Sequence, residues 1–208
     1  MSESALELIS RAVHAPANAR ILLLTPGPHG EQWLPQLLNH FEPSRCYVLE
    51  SSLERLKQVD PSAYRIRAQA IRMPFQPRSF DAVIALECIY AIRPPWTFLA
   101  EAHRALVRNG TLVVLEPASQ TFFSVFREQV WGPGKRVYPP EELHNRIERA
   151  DFAIRASETR TLAEYKAPAF FATATKIEFD AGPTPIITTA REMIARRQSL
   201  QAQAQVQQ

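Results

Sequence analysis

Gln69 to Pro117 reads QAIRMPFQPRSFDAVIALECIYAIRPPWTFLAEAHRALVRNGTLVVLEP, and its centre decides the fold. Asp81–Leu86 and Thr111–Leu115 are short apolar runs. The first, with its AVIAL core, lacks the polar alternation of a half-exposed strand, so it suits a strand of a parallel sheet covered on both faces. Between the two runs, Pro95 to Leu106 is helical in pattern: it opens with proline at a permitted first-turn position and stops before Asn109-Gly110. Strand, helix and strand in succession is the repeating unit of an α/β sheet.

The same rhythm extends outward. Ile21–Leu24, Tyr47–Leu49 and Tyr64–Ile66 are further apolar runs, separated by helical stretches such as Pro35–Phe41, which ends before Pro43. Past Pro117 the rhythm changes. A long aromatic segment (Phe122, Phe123, Phe126, Trp131, Tyr138) is interrupted by Gly132-Pro133-Gly134 and reads as a lid-like connection over residues 120–138. A helix over Pro140–Ala150 follows, then strands near Phe152–Ser157 and Phe170–Ile177, close enough in sequence to pair antiparallel. Residues 1–18 are expected as an N-terminal helical segment, 19–180 as the main domain, and 181–208 as a helical or disordered tail.

The chain has 208 residues, 46% hydrophobic and 22% charged, a composition that folds as one domain. Its net charge of +3 is small and its basic residues are scattered, which argues against nucleic acid as partner. Two cysteines, Cys46 and Cys88, each within an apolar run, are expected as buried thiols of a reducing compartment. No apolar run reaches the roughly 20 residues of a membrane span. With no signal-peptide pattern at Glu3 and Glu7, the expected location is the cytoplasm. No metal-ligand spacing stands out, and no oligomeric state follows from these residues.

Met73-Pro74-Phe75, Ser79-Phe80-Asp81, Leu99–Leu106 with Glu101 and Arg104, Asn109-Gly110 and Glu116-Pro117 stand in one register. In that register the chain resembles the class I S-adenosylmethionine-dependent methyltransferases, in the small-molecule branch (type 11) that includes the quinone-biosynthesis enzymes. YPPEELHNRIERADF and FFATATK continue the resemblance, which covers about residues 19 to 177. It implies a Rossmann-like α/β sheet of seven strands in the order 3-2-1-4-5-7-6, strand 7 antiparallel, with helices on both faces. It also implies S-adenosylmethionine as cofactor and a small-molecule acceptor, apolar or aromatic if the segment over 120–138 covers it. Open sheets of this kind bind ligands where strand order reverses, here between strands 1 and 4.

On that resemblance the cofactor residues are Thr25, Gly27, Glu50, Ser51, Gln69, Ala70, Ile71, Leu86 and Glu87. The turn TPGPHG departs from the family's GxGxG pattern. Leu23 replaces the strand-end acid and Thr25 the first glycine, while Gly27 keeps the central one, where a Cβ would collide with a ligand on the backbone. Pro26 and Pro28 remove N–H donors that a phosphate would need, but leave carbonyls that a methionine ammonium could use. Glu50, about 20 residues on, can accept ribose hydroxyls, or else cap the helix near Ser52. Gln69 stands for the acid that meets the adenine amino group, Ala70 offers a backbone N–H, and Ile71 and Met73 can pack on the ring. Glu87 after strand 4 is either a replacement for the missing acid or a solvated loop residue. His29, Tyr90 and His144 are the candidate bases, and nothing singles one out. Two other readings stand beside the methyltransferase: a methyltransferase-like binding subunit without catalysis, and a nucleotide-linked oxidoreductase, which the two prolines and the lack of GxGxxG oppose.

Overall fold

Seven strands form one sheet in the order β3-β2-β1-β4-β5-β7-β6. They are β1 (Ile21–Leu24), β2 (Cys46–Glu50), β3 (Tyr64–Arg67), β4 (Phe80–Leu86), β5 (Leu106–Pro117), β6 (Phe152–Thr161) and β7 (Pro168–Lys176). Strands 1 to 5 pair parallel, and β7 runs antiparallel between β5 and β6. The expected order and direction of the strands are therefore found. This computed structural model describes residues 4–13, 16, 18–27, 29–118, 137–162 and 168–178. The expected tail over 181–208, Pro28, and the aromatic segment before Val137 lie outside the described residues.

The unalternating runs are buried as expected: all four residues of β1 are buried, and so are Ala82 to Leu86 of β4. On one face lie α1 (Ala5–Ala12), α2 (Gly30–Phe41) and α3 (Leu53–Gln58), whose Leu8, Ile9, Trp33, Leu37 and Leu56 pack on Ile21, Leu23, Val48 and Ile84. On the other lie α4 (Cys88–Ala91), α5 (Pro95–Ala105) and α6 (Pro140–Glu148), with Ile89, Phe98, Leu99, Leu143 and Ile147 on Leu22, Leu24, Val83 and Val114. A period of two along each strand sends neighbouring side chains to opposite cores. Helix α1 starts in a capping box, Ser4 and Glu7 each accepting the other's backbone N–H.

Two details differ from the sequence reading. β5 begins at Leu106, directly after α5, because Leu106 already pairs with Phe80 across a register irregularity. β6 runs on to Thr161, its added residues exposed or half-buried and matched by β7 from Pro168.

The residues that carry the family resemblance between β3 and α5 form a clamp. Arg104 donates to the carbonyls of Phe75 and Met73 and to Glu101, whose carboxylate also accepts the Met73 N–H at 2.7 Å. Arg104 holds the Glu101 carboxyl below its usual range, so the pair stays ionised and the loop after β3 is pinned to α5. That loop forms one wall of the cleft described next. Among the described residues no helix is long and apolar enough to cross a membrane.

Candidate functional site

At the carboxyl ends of β1, β2 and β3, a cavity of about 230 Å³ is lined by Leu24, Pro26, Leu49, Glu50, Ser51, Ala68, Gln69, Ala70, Ile71, Ile92 and Arg93. Five of the expected cofactor residues, Glu50, Ser51, Gln69, Ala70 and Ile71, thus meet in one hollow, on the carboxyl-end side of the sheet where open α/β folds place ligands. Its walls are mostly apolar, with a carboxylate at the β2 end, a serine beside it and an amide on the loop after β3.

Glu50 is 8% exposed and already partly engaged. Its Oε1 accepts the Ser52 N–H at 2.9 Å and the Ser51 hydroxyl at 3.3 Å, while Oε2 lies 3.4 Å from Nε of Arg55. A carboxylate offers about four acceptor positions, so roughly one remains for a ligand hydroxyl. The two roles read from the sequence coexist: Glu50 receives the first N–H of the α3 turn, whose N-cap is Ser52, and also faces the cavity.

The turn after β1 is different. Arg55, the third residue of α3, reaches back and donates to the carbonyls of Thr25 (2.6 Å), Pro26 (3.1 Å) and Gly27 (3.5 Å). The carbonyls expected to wait for an ammonium are therefore met by a guanidinium of the chain itself. Gly30 is required here, since a Cβ on it would stand 2.2 Å from the Thr25 oxygen. Thr25 lines a separate hollow of about 610 Å³ between α2 and α3, which Glu50 and Arg55 also border.

Glu87 closes the turn from the other side. It is fully buried, sits in the left-handed region (φ 59) as N-cap of α4, and donates its N–H to the Leu115 carbonyl at 2.7 Å. Its side chain lies on Gly27: a Cβ there would be 1.7 Å from Oε2 and 2.3 Å from the Glu87 Cβ. The glycine expected to admit a ligand is covered in this structure by Glu87. Both carboxylate oxygens are held by one residue, Oε2 by the His29 N–H at 3.2 Å and Oε1 by His29 Nδ1 at 2.6 Å. The expectation of a solvated loop acid is corrected by this burial.

The remaining expected positions do not line this cavity. Leu23 and Leu86 are fully buried in the core under α1 and α2, so neither side chain reaches the cleft. Tyr90 is buried, and burial together with Glu87 pushes its phenol up. His144 lies on α6, 3.3 Å from the Ser157 hydroxyl of β6 and 3.5 Å from Glu148, at the far edge of the sheet. Sequence reasoning missed Arg55, although its place three residues after the Ser52 cap and five after Glu50 was readable as a helix-start residue beside the strand end.

Glu116 at the end of β5 was read only as a motif residue. It is 1% exposed and accepts the N–H groups of Ile89 (2.8 Å) and Tyr90 (3.0 Å), fixing α4 beneath Glu87. Burial dominates those bonds and pushes its carboxyl up to about 8. Among the described residues no group of three His, Cys, Asp or Glu could hold a metal ion.

The family model of the methyltransferase domain matches residues 25–114, from the turn after β1 to the middle of β5. Family match and sheet order together support a class I S-adenosylmethionine-dependent methyltransferase of the type 11 kind. No curated protein matches the chain by sequence. Among solved structures, an S-adenosylmethionine-dependent methyltransferase from Methanosarcina mazei is similar at 14% identity and TM-score 0.64, over 85% of this chain and all of that one. Phosphoethanolamine N-methyltransferase 2 from Haemonchus contortus, in complex with phosphomonomethylethanolamine and S-adenosylhomocysteine, shares 18% identity at TM-score 0.65, over 83% of this chain and 52% of that one. The [4+2]-cyclase SpnF shares 16% identity at TM-score 0.63, over 82% of this chain and 79% of that one. These likenesses show a shared fold, and the cyclase shows that the fold hosts more than one activity.

Against the methyltransferase cofactor, the two ends of the site differ. The cavity at Glu50–Ser51 and Ala68–Ile71 fits the adenosine end, with a carboxylate for ribose and apolar walls for a ring. The space over Gly27, where the resemblance implies the amino-acid end, is filled by Glu87.

Proposed function

We propose that the chain is an S-adenosylmethionine-dependent methyltransferase acting on a small acceptor, apolar or aromatic. The observation that carries this reading is the cavity at the carboxyl ends of β1, β2 and β3, where Glu50, Ser51, Gln69, Ala70 and Ile71 converge within the span that the family model matches. Glu50 accepts from the ribose with its remaining acceptor position, while Ser51 and Ser52 hold its carboxylate in place. Gln69 meets the adenine edge through its amide, and Ile71 packs on the ring. The bound cofactor supplies an electrophilic methyl group. The chain's own task is alignment, which by itself lowers a bimolecular barrier substantially.

The acceptor enters over the ends of β4 and β5, beside Glu116 and the N-terminus of α4. The apolar or aromatic character is proposed from the phenylalanines and Trp131 of the segment over 120–138, of which the described residues include Val137 and Tyr138. Tyr138 is buried and bridged to Ala118, with the Arg146 guanidinium 4.5 Å from its ring. No histidine is needed as base. A cytoplasmic location is proposed on the composition and the two reduced, buried cysteines.

A second reading, a binding subunit without methyl transfer, is favoured by one observation: the chain's own Arg55 and Glu87 occupy the turn. Calorimetry with S-adenosylhomocysteine separates the two. Saturable binding, with methyl transfer from radiolabelled cofactor to a panel of small phenols and amines, supports the first; absence of binding at millimolar ligand supports the second.

A further inference from the structure

We propose that Glu87 is the ammonium acceptor of this site and that His29 is its internal placeholder, displaced when the amino-acid end of the cofactor arrives. The inference rests on reading the cleft as a cofactor site. It begins with an absence: β1 ends in Leu23 and Leu24, both buried in the core, so β1 supplies no carboxylate to the turn. The carbonyls of Thr25, Pro26 and Gly27 are held by Arg55. The positive charge of Arg55 on those carbonyls opposes a second cation there, whereas the Glu87 carboxylate lies directly over Gly27 and offers a negative acceptor.

A fully buried carboxylate must be paired, since an isolated one would be strongly disfavoured. Here the partner is the imidazole of His29, Nδ1 to Oε1 at 2.6 Å, with the His29 N–H on Oε2 at 3.2 Å. The two bonds have different fates. The backbone N–H belongs to the start of α2 and can stay, keeping Oε2 in place. The ring sits on a side chain that is 23% exposed, at an N-cap position where it makes no capping bond, with its centroid 5.4 Å from that of Trp33. Its departure from Oε1 costs the helix start no capping bond. An ammonium then donates to Oε1 in its place, and the carboxylate remains paired before and after the exchange.

This arrangement makes Glu87 and His29 affect ligands by their amino-acid end alone. Calorimetry with S-adenosylhomocysteine and 5′-methylthioadenosine, which lacks that end, tests it on the parent, Glu87→Gln and His29→Ala, with thermal melts confirming that each variant is folded. Glu87→Gln is expected to weaken S-adenosylhomocysteine about ten- to a hundredfold, as for loss of a charged hydrogen bond, and to leave 5′-methylthioadenosine within about twofold. His29→Ala is expected to tighten S-adenosylhomocysteine several-fold by removing the competitor, with no gain for the shorter ligand. Equal effects of Glu87→Gln on both ligands, no effect on either, or weaker S-adenosylhomocysteine binding by His29→Ala would overturn the exchange. If the parent binds 5′-methylthioadenosine but not S-adenosylhomocysteine, the cleft stands as a nucleoside site and the exchange fails. If it binds neither, both the exchange and the cofactor reading fail.

Discussion

The two ends of the cleft were built by opposite means. At the Glu50 end, strand ends and a pinned loop leave a hollow, and Glu50 keeps roughly one acceptor position there. At the turn after β1 the chain supplies its own partners: Arg55 for the carbonyls, Glu87 for the space over Gly27, His29 for Glu87. A motif can therefore lose its expected residues and keep its backbone path, because internal side chains satisfy what a ligand would otherwise satisfy. The difference between the ends is one of occupancy by the chain itself, and substitutions can exaggerate or erase it.

The largest effect is expected from restoring the family's acid. Leu23→Asp puts a carboxylate into the core under α1 and α2, among the uncharged side chains of Trp33, Leu37 and Ile84. It should destabilise the protein by at least about 3 kcal/mol in urea unfolding, combining a lost core side chain with a buried charge. A stable variant with improved cofactor affinity would mean that the turn rearranges toward the family pattern.

Next in size is a pH effect seated under the closed end. The unfolded Glu116 carboxyl ionises near 4.5 and the folded one near about 8, because burial opposes its charge. Between those values the folded protein holds a proton that the unfolded chain has lost. Its contribution is full below about 4.5 and is lost as pH rises toward 8, by an amount on the order of a few kcal/mol. Glu116→Gln keeps an acceptor for one of the two N–H groups of α4 and should flatten the decline in melts between pH 5 and 8. A parent whose stability does not fall across that window would contradict the buried, protonated acid.

Gly27→Ala comes third. Its Cβ would stand 1.7 Å from Glu87 Oε2 and 2.3 Å from the Glu87 Cβ, so more than the tip of a flexible side chain must move. The expected loss is about 1 to 3 kcal/mol in denaturant unfolding, as for overpacking of a filled site. In the Glu87→Gly background, which removes that Cβ as well as the carboxylate and suits the left-handed backbone there, most of that loss should disappear. A persistent loss would place the obstruction in the backbone.

The contrast also divides what the residues disclosed in advance. Strand order and the gathering of Glu50, Ser51 and Gln69–Ile71 round one cavity were legible because they depend on local pattern: unalternating apolar runs such as Ala82–Leu86, the strand-end Glu50, and the Met73–Phe75 and Glu101–Arg104 segments, now seen as a clamp. The closed end was not legible because it depends on long-range meetings. Arg55 meets Thr25 across 30 positions and Glu87 meets His29 across 58, and nothing in the types of these residues announces the pairing. Nor does a glutamate after a strand announce a left-handed backbone and full burial. The side chain of Leu86 lies in the core for a simpler reason: the period-two alternation of β4 turns it there.

The measurement closest to the central claim is a calorimetric titration of the parent and Glu50→Gln with S-adenosylhomocysteine. Glutamine keeps an acceptor for the Ser52 N–H, so the start of α3 survives while the charge offered to the ribose is removed. The account predicts saturable, one-to-one binding by the parent. For the variant it predicts a loss of about 1.5 to 3 kcal/mol, roughly ten- to a hundredfold in affinity, with an unchanged melting profile of secondary structure. Binding of equal strength by both proteins, or no binding by a folded parent at millimolar ligand, would contradict a cofactor cleft at Glu50.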